Sequence, residues 1–206
     1  DPQIIYQGIN VPVKEINLYS KIISILKSKN EINQAIVSLE NFSIIDMQKL
    51  AVRIKPSNFK NHLLNNLNNG EIEKIFIDLK LDDDLKIDNY KLNGSIKEVD
   101  ISASDNLLVK DVSLNFISDK NLTLINSFNA KYKDILISNG SFSLKREKQI
   151  VVEGKFNSKF NLNNNSINKL LSKVKLNFLE NYKINLKGSL LHNFSLKINE
   201  NLELID

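Results

Sequence analysis

The sequence contains no cysteine and no tryptophan, and its only histidines are His62 and His192. Without cysteine, the chain can form neither a disulfide framework nor a cysteine-ligated metal site. The two histidines fall in distant segments and have no acidic cluster beside them, so no zinc site is predicted. The lack of tryptophan and the scarcity of tyrosine disfavour a polysaccharide-binding surface, because such a surface uses aromatic platforms.

Motifs of enzyme active sites are also missing. The sequence has no G-x-S-x-G elbow, no phosphate-binding loop and no glycine pattern of a dinucleotide-binding fold. The run Asp82, Asp83, Asp84 lacks the spacing and the glycine of a calcium loop, so it predicts an acidic hairpin turn. We therefore predict a protein that is not an enzyme and that uses no catalytic residue, no metal and no cofactor.

Charge and hydropathy narrow the choice of partners. The net charge is +4 and the pI is about 9.0, but lysines and acidic residues are mixed along the chain without a basic block, so no nucleic-acid partner is predicted. No apolar run approaches the length of a membrane-spanning helix, and no signal-peptide pattern is present. The first residues, DPQIIYQG, include no initiator methionine, and we expect the chain to be a fragment of a longer protein.

The residues that are present favour strands. Isoleucine, leucine, valine and phenylalanine supply the apolar content, and asparagine is abundant at about thirty residues. Up to about Gly70, extended segments alternate with short helical ones, and after it the period-2 pattern of strands dominates. We predict one elongated domain over 1–206, in which 1–70 form a mixed α/β capped end and 71–206 form an antiparallel meander with a helical interruption near 163–175.

Individual elements follow from the same patterns. The predicted helices are SKIISILKSK, IDMQKLAVRI and PSNFKNHLLNNLNNG, together with the interruption NNNSINKLLSKVKLNF. The predicted strands of the first part are GINVPVKEINLY, with Pro12 at an edge or a strand start, and EINQAIVSLENFSI. The predicted strands of the second part are EIEKIFIDLKL, YKLNGSIKEVDIS, LLVKDVSLNFIS, NLTLINSFNAKY, DILISNGSFSLK, QIVVEGKFNSKFNL, YKINLKGSLLHNFSLKI and LELI.

Several of these strands have one apolar and one polar face, and the helices are too few to cover the apolar one. A strongly curved antiparallel sheet that folds over its own apolar face, like a taco shell or half-pipe, satisfies this requirement. Gly94, Gly154 and Gly188 take the phase of inward residues, and glycine would let the strand bend and leave space beneath it. The alternative is that each glycine marks a bulge in a filled barrel or sandwich.

Three phrases of this second part repeat a pattern. They run from Leu92 to Ile101, from Val109 to Phe116 and from Ile137 to Leu144. Together they resemble the recurring hairpins of the AsmA-like envelope proteins, whose phrases take the forms L-x-G-x-I-x-x-V-x-I, V-x-D-V-x-L-x-F and I-x-x-G-S-F-x-L. The segment INLYSKIISILKSKNEINQAIVSLENFSI similarly resembles the strand, short helix and strand unit of that family.

The resemblance implies a function as well as a fold. AsmA-like proteins form a long groove with an apolar floor, which spans the periplasm of a diderm bacterium from an inner-membrane anchor and is associated with phospholipid movement. We accordingly expect this chain to be a periplasmic segment that holds or conducts phospholipid acyl chains between the inner and outer membranes. Its further partners would be proteins of those two membranes.

The residues expected to line such a groove share the inward phase of their strands. They are Leu92, Ile96, Val112, Leu114, Phe116, Phe142, Leu144, Val152, Phe156, Leu186 and Leu190. The same pattern is equally consistent with a plain hydrophobic core, which would make the chain a structural scaffold in envelope assembly or adhesion. Lysines near strand ends, such as Lys97, Lys110 and Lys155, could meet phosphate head groups, although lysine also populates solvated faces.

Overall fold

We describe the fold from a computed structural model. The residues that it describes are 4–6, 8–20, 32–51, 64–104, 107–146, 149–164, 166–167, 185–199 and 204–205. They form one large antiparallel sheet, a separate two-stranded sheet and a short helix that packs against the large sheet.

Strands account for most of the described residues. They are β1 (Ile4–Tyr6), β2 (Ile9–Val11), β3 (Val13–Ser20), β4 (Ile32–Ser43), β5 (Leu67–Asn68), β6 (Glu71–Leu81), β7 (Ile87–Ser104), β8 (Leu107–Ser118), β9 (Leu122–Tyr132), β10 (Ile135–Arg146), β11 (Ile150–Leu162), β12 (Leu186–Ile198) and β13 (Leu204–Ile205). The helix α1 (Ile44–Ala51) follows β4 without an intervening loop.

The order of strands in the large sheet follows the order of the chain. Its eleven described strands run β13-β12-β11-β10-β9-β8-β7-β6-β4-β3, with the short β5 paired to β7, and every pairing is antiparallel. Within the described residues, the outermost strands β3 and β13 do not pair with each other, so the sheet stays open. The predicted fold class, an elongated and curved antiparallel sheet of successive hairpins, is confirmed.

Most predicted elements of the described residues are confirmed as well. Every strand predicted after Gly70 is present, and the helix predicted in IDMQKLAVRI is α1. Pro12 separates β2 from β3, so the segment predicted as one strand forms two. The helices predicted in SKIISILKSK and PSNFKNHLLNNLNNG, and the helical interruption near 163–175, lie mainly outside the described residues. The end predicted for the helix in PSNFKNHLLNNLNNG is wrong, because Leu67 and Asn68 form the strand β5.

The start of α1 is fixed by a local hydrogen-bonded cap. The Ser43 hydroxyl oxygen accepts a hydrogen bond from the Asp46 N–H at 3.1 Å and donates to the Asp46 carboxylate at 2.8 Å. Because the first N–H groups of a helix have no partner within it, this cap stabilises the turn where β4 becomes α1. The helix is thereby held over the sheet, with Ile44 buried and Met47 packed against the core.

A compact core lies beneath α1. Val99 on β7 and Val112 on β8 are cross-strand partners with no exposed surface. The other buried members of this core cluster are Phe42, Ile44, Ile72 and Ala130. Burying a side chain of this size stabilises the fold by about 1.5–3 kcal/mol. The sheet around β7 and β8 therefore contains a filled hydrophobic core.

A row of bulges bends the middle of the sheet. Glu98, Asp111, Ser127 and Asn139, one on each strand from β7 to β10, have φ values of 54°, 54°, 55° and 52°. Shifts in the pairing register lie at the same places. A bulge bends its strand and increases the local twist, so this row of residues bends the sheet. The expectation that the inward glycines supply the bend is therefore wrong.

Candidate functional site

The face of the large sheet that carries the core cluster, called here the inner face, is apolar from strand to strand. Directly paired residues on neighbouring strands point to the same face. One row of such partners consists of Ile75, Gly94, Phe116, Ile125, Phe142, Gly154 and Phe194, and the next of Ile77, Leu92, Ser118, Thr123, Leu144, Val152 and Leu196. The two hydroxyl side chains of the second row, Ser118 and Thr123, hydrogen-bond to each other at 2.7 Å.

Phenyl rings cover the inward glycines. A Cβ atom placed on Gly154 would overlap the Phe142 ring and lie 2.8 Å from the Phe194 ring, and both phenylalanines are direct cross-strand partners of Gly154. Phe116 covers Gly94, Phe128 covers Gly140 and Phe160 covers Gly188 in the same way. The expectation that these glycines leave space is therefore wrong, because a neighbouring ring fills that space.

The alternative expectation, that each glycine marks a bulge, fails at two of these positions. The pairing register of Gly154 and Gly188 with their neighbouring strands is continuous. Neither residue has a positive φ. These glycines serve close packing and not a change of strand direction.

Five rings form an aromatic cluster on the inner face of β9 to β12. It consists of Phe128, Phe142, Phe156, His192 and Phe194. Phe128 and Phe142 meet edge to face with centroids 5.0 Å apart, and Phe156 stacks on the His192 imidazole at 4.5 Å. Such pairs add about 0.5–1.5 kcal/mol each beyond area burial, so the cluster gives the inner face a rigid surface.

Next to the aromatic cluster, the inner face opens into a pocket of about 430 Å³, called here the end pocket. Its lining is composed almost entirely of apolar side chains. They come from the four neighbouring strands β9 to β12: Tyr132, Ile135, Ile137, Phe156, Phe160, Leu162, Leu186 and Leu190, with Ser158 and His192. Leu186 and Leu190 are 49% and 54% exposed, so apolar surface remains accessible at its mouth.

The polar residues of the end pocket satisfy each other. Ser158 is buried on β11, and its hydroxyl oxygen lies 2.8 Å from Nε2 of His192 on β12. In the described part of the chain, no carboxylate hydrogen-bonds the His192 imidazole, and the backbone around Ser158 is paired in the sheet ladder. A hydrolytic serine needs an oriented base and free oxyanion donors, so we assign this pair to the wall of the pocket.

All eleven residues predicted to line a groove lie on the inner face, but in different surroundings. Phe156, Leu186 and Leu190 line the end pocket, whereas Leu92, Phe116, Phe142, Leu144 and Val152 occupy the middle of the face. Ile96 and Leu114 pack against the core cluster, and Val112 belongs to it. Val112 is thus core and not open lining, because it is completely buried within the core cluster.

Several residues of the site are absent from the predicted set. Phe160 and Phe194 have the same period-2 phase as Phe156 and Leu190, so the alternation could have identified them. Phe128 follows the bulge at Ser127, where the phase shifts by one residue, and strict alternation hides it. The pairing of His192 with Ser158 depends on the register of β11 with β12, which no local pattern reveals.

The charged positions singled out in the sequence are placed as follows. Asp82 closes the β6–β7 hairpin by accepting hydrogen bonds from the Asp84 and Lys86 N–H groups at 3.0 and 2.8 Å, which confirms the acidic turn. Lys97, Lys110 and Lys155 are exposed on the face opposite the inner one. In the portion of the chain described here, no group of three metal-ligating side chains comes together.

Comparisons with known proteins identify no match for the chain. No protein-family model, curated protein or solved structure matches it. Among the described helical residues, no segment has the length and apolar character needed to cross a bilayer.

Proposed function

We propose that this chain binds phospholipid acyl chains along its inner face without catalysing a reaction. The observation that carries the proposal is the end pocket, whose apolar lining is accessible at Leu186 and Leu190. Its volume of about 430 Å³ falls in the usual range of small-molecule sites, about 300–1,000 Å³. An open apolar pocket with its polar groups already paired suits a hydrocarbon chain better than a polar ligand.

The energetics of lipid transfer favour such a surface. Exposing an acyl chain of about fourteen methylenes to water would cost on the order of 11 kcal/mol, at about 0.8 kcal/mol per methylene. An inner face that continues the pocket through the aromatic cluster offers the chain apolar contact over four strands. Acyl chains could therefore be held, or passed along the sheet, while the head group remains in water.

The wider setting is part of the same proposal. The repeated phrases that resemble AsmA-like proteins lie in β7, β8 and β10 of an open, curved antiparallel sheet, which is the architecture that the resemblance implies. We propose that the chain is a segment of a periplasm-spanning protein anchored in the inner membrane of a diderm bacterium. It would act on phospholipid between the inner and outer membranes, alongside proteins of both.

Two adjacent leucines provide a matched test. Leu190 lines the end pocket, whereas Leu191 faces the other side of β12, and the two are 54% and 66% exposed. We expect Leu190→Asp to remove co-purified phospholipid and Leu191→Asp to retain it, since only the first places a charge beside the hydrocarbon. Native mass spectrometry of each purified protein, followed by solvent extraction and lipid analysis, measures the occupancy.

The result can also contradict the proposal. Circular dichroism first establishes that both variants are folded, which their exposed positions favour. Equal phospholipid occupancy in the two variants, or a ligand-free wild type under the same conditions, would refute acyl binding in the end pocket.

A second function is favoured by the filled core at the centre of the sheet. Val99 and Val112 have no exposed surface within this core cluster, as in a filled domain. A folded, ligand-free wild type would therefore favour a non-enzymatic scaffold in envelope assembly or adhesion, which could bind partners through its sheet edges.

A further inference from the structure

Three lysines gather where β8 begins and β9 ends. Lys110 on β8 and Lys131 on β9 are direct cross-strand partners, and Lys133 lies in the turn that follows β9. Like charges directly opposite each other in a sheet destabilise it. This placement therefore has a cost in stability that a bound anion would offset.

These lysines have no carboxylate partner among the described residues, a property that they share with others such as Lys80 and Lys120. Among the described residues, Lys14, Lys49, Lys86, Lys97 and Lys145 each lie within 4.0 Å of a carboxylate oxygen. None of the three clustered lysines forms such a pair with a described residue. Their positive charge is thus not neutralised by a described side chain.

The three lysines line a common pocket of about 410 Å³. Asp134 is the carboxylate in its lining, and that carboxylate accepts a hydrogen bond from the Ser166 hydroxyl at 2.5 Å. The Lys133 ammonium lies 5.2 Å from the centre of the Tyr132 ring, close enough for a cation–π contact that keeps its charge near the pocket. Three ammonium groups around one open pocket form a site suited to a phosphate group.

Tyr132 is common to the linings of the basic pocket and the end pocket. Lys110 and Lys131 lie on the face opposite the inner one, in register with the exposed Leu136. The head group of an amphiphile with its hydrocarbon in the end pocket would therefore pass around the end of β9 to reach these lysines. We propose that Lys110, Lys131 and Lys133 bind the phosphate of a phospholipid whose acyl chain occupies the end pocket. This inference rests on the proposed function, and it adds the recognition of an anionic head group to it.

The test compares ligands that separate phosphate from hydrocarbon. Isothermal titration calorimetry would use a short-chain phosphatidylglycerol, a non-ionic alkyl glucoside of similar chain length, the soluble phosphodiester glycerophosphoglycerol and inorganic phosphate. The test variant is the double substitution Lys110→Gln/Lys131→Gln. The control is Lys80→Gln/Lys120→Gln, which removes the same charge at the opposite end of the strands.

We expect the test variant to bind phosphatidylglycerol about tenfold more weakly than wild type, while its affinity for the alkyl glucoside is unchanged. The control variant should match wild type for both ligands. Asp134→Asn should bind phosphatidylglycerol more tightly, because it removes the carboxylate that repels the phosphate. The phosphatidylglycerol affinity should also fall with salt, unlike that of the glucoside.

Other outcomes would overturn the inference. If the test variant binds phosphatidylglycerol as wild type does, or loses the glucoside equally, the lysines do not recognise the phosphate. If glycerophosphoglycerol or inorganic phosphate binds as tightly as the lipid, the ligand is a free phosphate and not a head group. If wild type binds neither amphiphile, the acyl-binding function fails, and any phosphate binding that remains is independent of lipid.

Discussion

At the scale of single residues, the inner face is built from glycines paired with phenylalanines. Gly154 faces Phe142 on one neighbouring strand and Phe194 on the other, and both rings lie over its Cα. The absence of a side chain is what allows these rings to approach the backbone. The smooth apolar surface next to the end pocket therefore depends on a residue that contributes no apolar side chain of its own.

Gly154→Ala should expose this dependence. We expect it to lower the free energy of unfolding by about 1–3 kcal/mol, because the added methyl overlaps the Phe142 ring and forces it to move. Urea unfolding measures the effect, and the double variant Gly154→Ala/Phe142→Leu should recover part of it. An unchanged or increased stability of Gly154→Ala would show that the ring does not depend on the glycine.

At the scale of elements, the bend arises from non-glycine residues in a left-handed conformation. Asparagine and aspartate tolerate a positive φ better than most side chains, and Asp111 and Asn139 occupy two of the four positions. Glu98 and Ser127 adopt the same conformation without that advantage. The strands thus accept local strain so that apolar residues on both sides of each bulge reach the inner face.

Asn139 is the position where this strain is easiest to test. Asn139→Val should lower the free energy of unfolding by about 1–3 kcal/mol, because a β-branched side chain strongly disfavours a φ of 52°. Asn139→Gly is the matched control and should be nearly neutral. Urea unfolding measures the free energy of unfolding of both variants. If Asn139→Val is as stable as Asn139→Gly, the left-handed conformation at this position is contradicted.

The turns between strands depend on aspartate. Asp119 closes the β8–β9 turn by accepting hydrogen bonds from the N–H groups of Asn121 and Leu122, at 2.8 and 2.9 Å. These two bonds hold the pKa of Asp119 below its ordinary value of 3.8, and the bond from Asn121 has the larger effect. The folded state therefore binds the proton less readily than the unfolded state, and the ionised carboxylate stabilises the fold.

The sign of this shift predicts an acid dependence. The contribution of Asp119 should be complete above its unfolded pKa, near 3.8, and disappear as the pH falls through its lower folded value. Asp119→Asn retains an acceptor oxygen but does not titrate over this range. The urea midpoints of wild type and variant should therefore approach each other as the pH falls from about 5 to about 3. A constant difference would contradict the role of the charge.

At the scale of the whole molecule, the sequence predicts the sheet better than it predicts the site. Alternation identifies the strands, because each strand has one buried face, and it places Phe156 and Leu190 on that face. Alternation does not reveal the bulges at Ser127 and Asn139, because these residues adopt a positive φ although neither is a glycine. Nor can it foresee that Val112 and Ile44, the first residue of α1, belong to one buried cluster, since these residues lie far apart in sequence.

The same limit applies to what lies across strands. In the sequence, each Gly–Phe pair is visible only as a glycine at a position where the alternation predicts an apolar side chain. The ring that fills the space comes from another strand. The cluster of Lys110, Lys131 and Lys133 likewise depends on the register of β8 with β9. The local sequence predicts whether a segment forms a strand. Which side chains meet on the surface of the sheet depends on how the strands pair.

The strand order also determines how the chain folds and where it opens. From β7 to β13 each strand pairs with the one that precedes it. The connections from β6 to β11 are short, so this part of the sheet can grow hairpin by hairpin, whereas a longer segment joins β11 to β12. The filled core on β7 and β8 anchors this process at its centre. Of the described residues, only β13 pairs with the outer side of β12, at Lys197 and Ile198. The end pocket thus lies beside an edge strand, where local unfolding requires the loss of few contacts. A ligand bound in the pocket would contact β11 and β12 together and so stabilise that edge against unfolding.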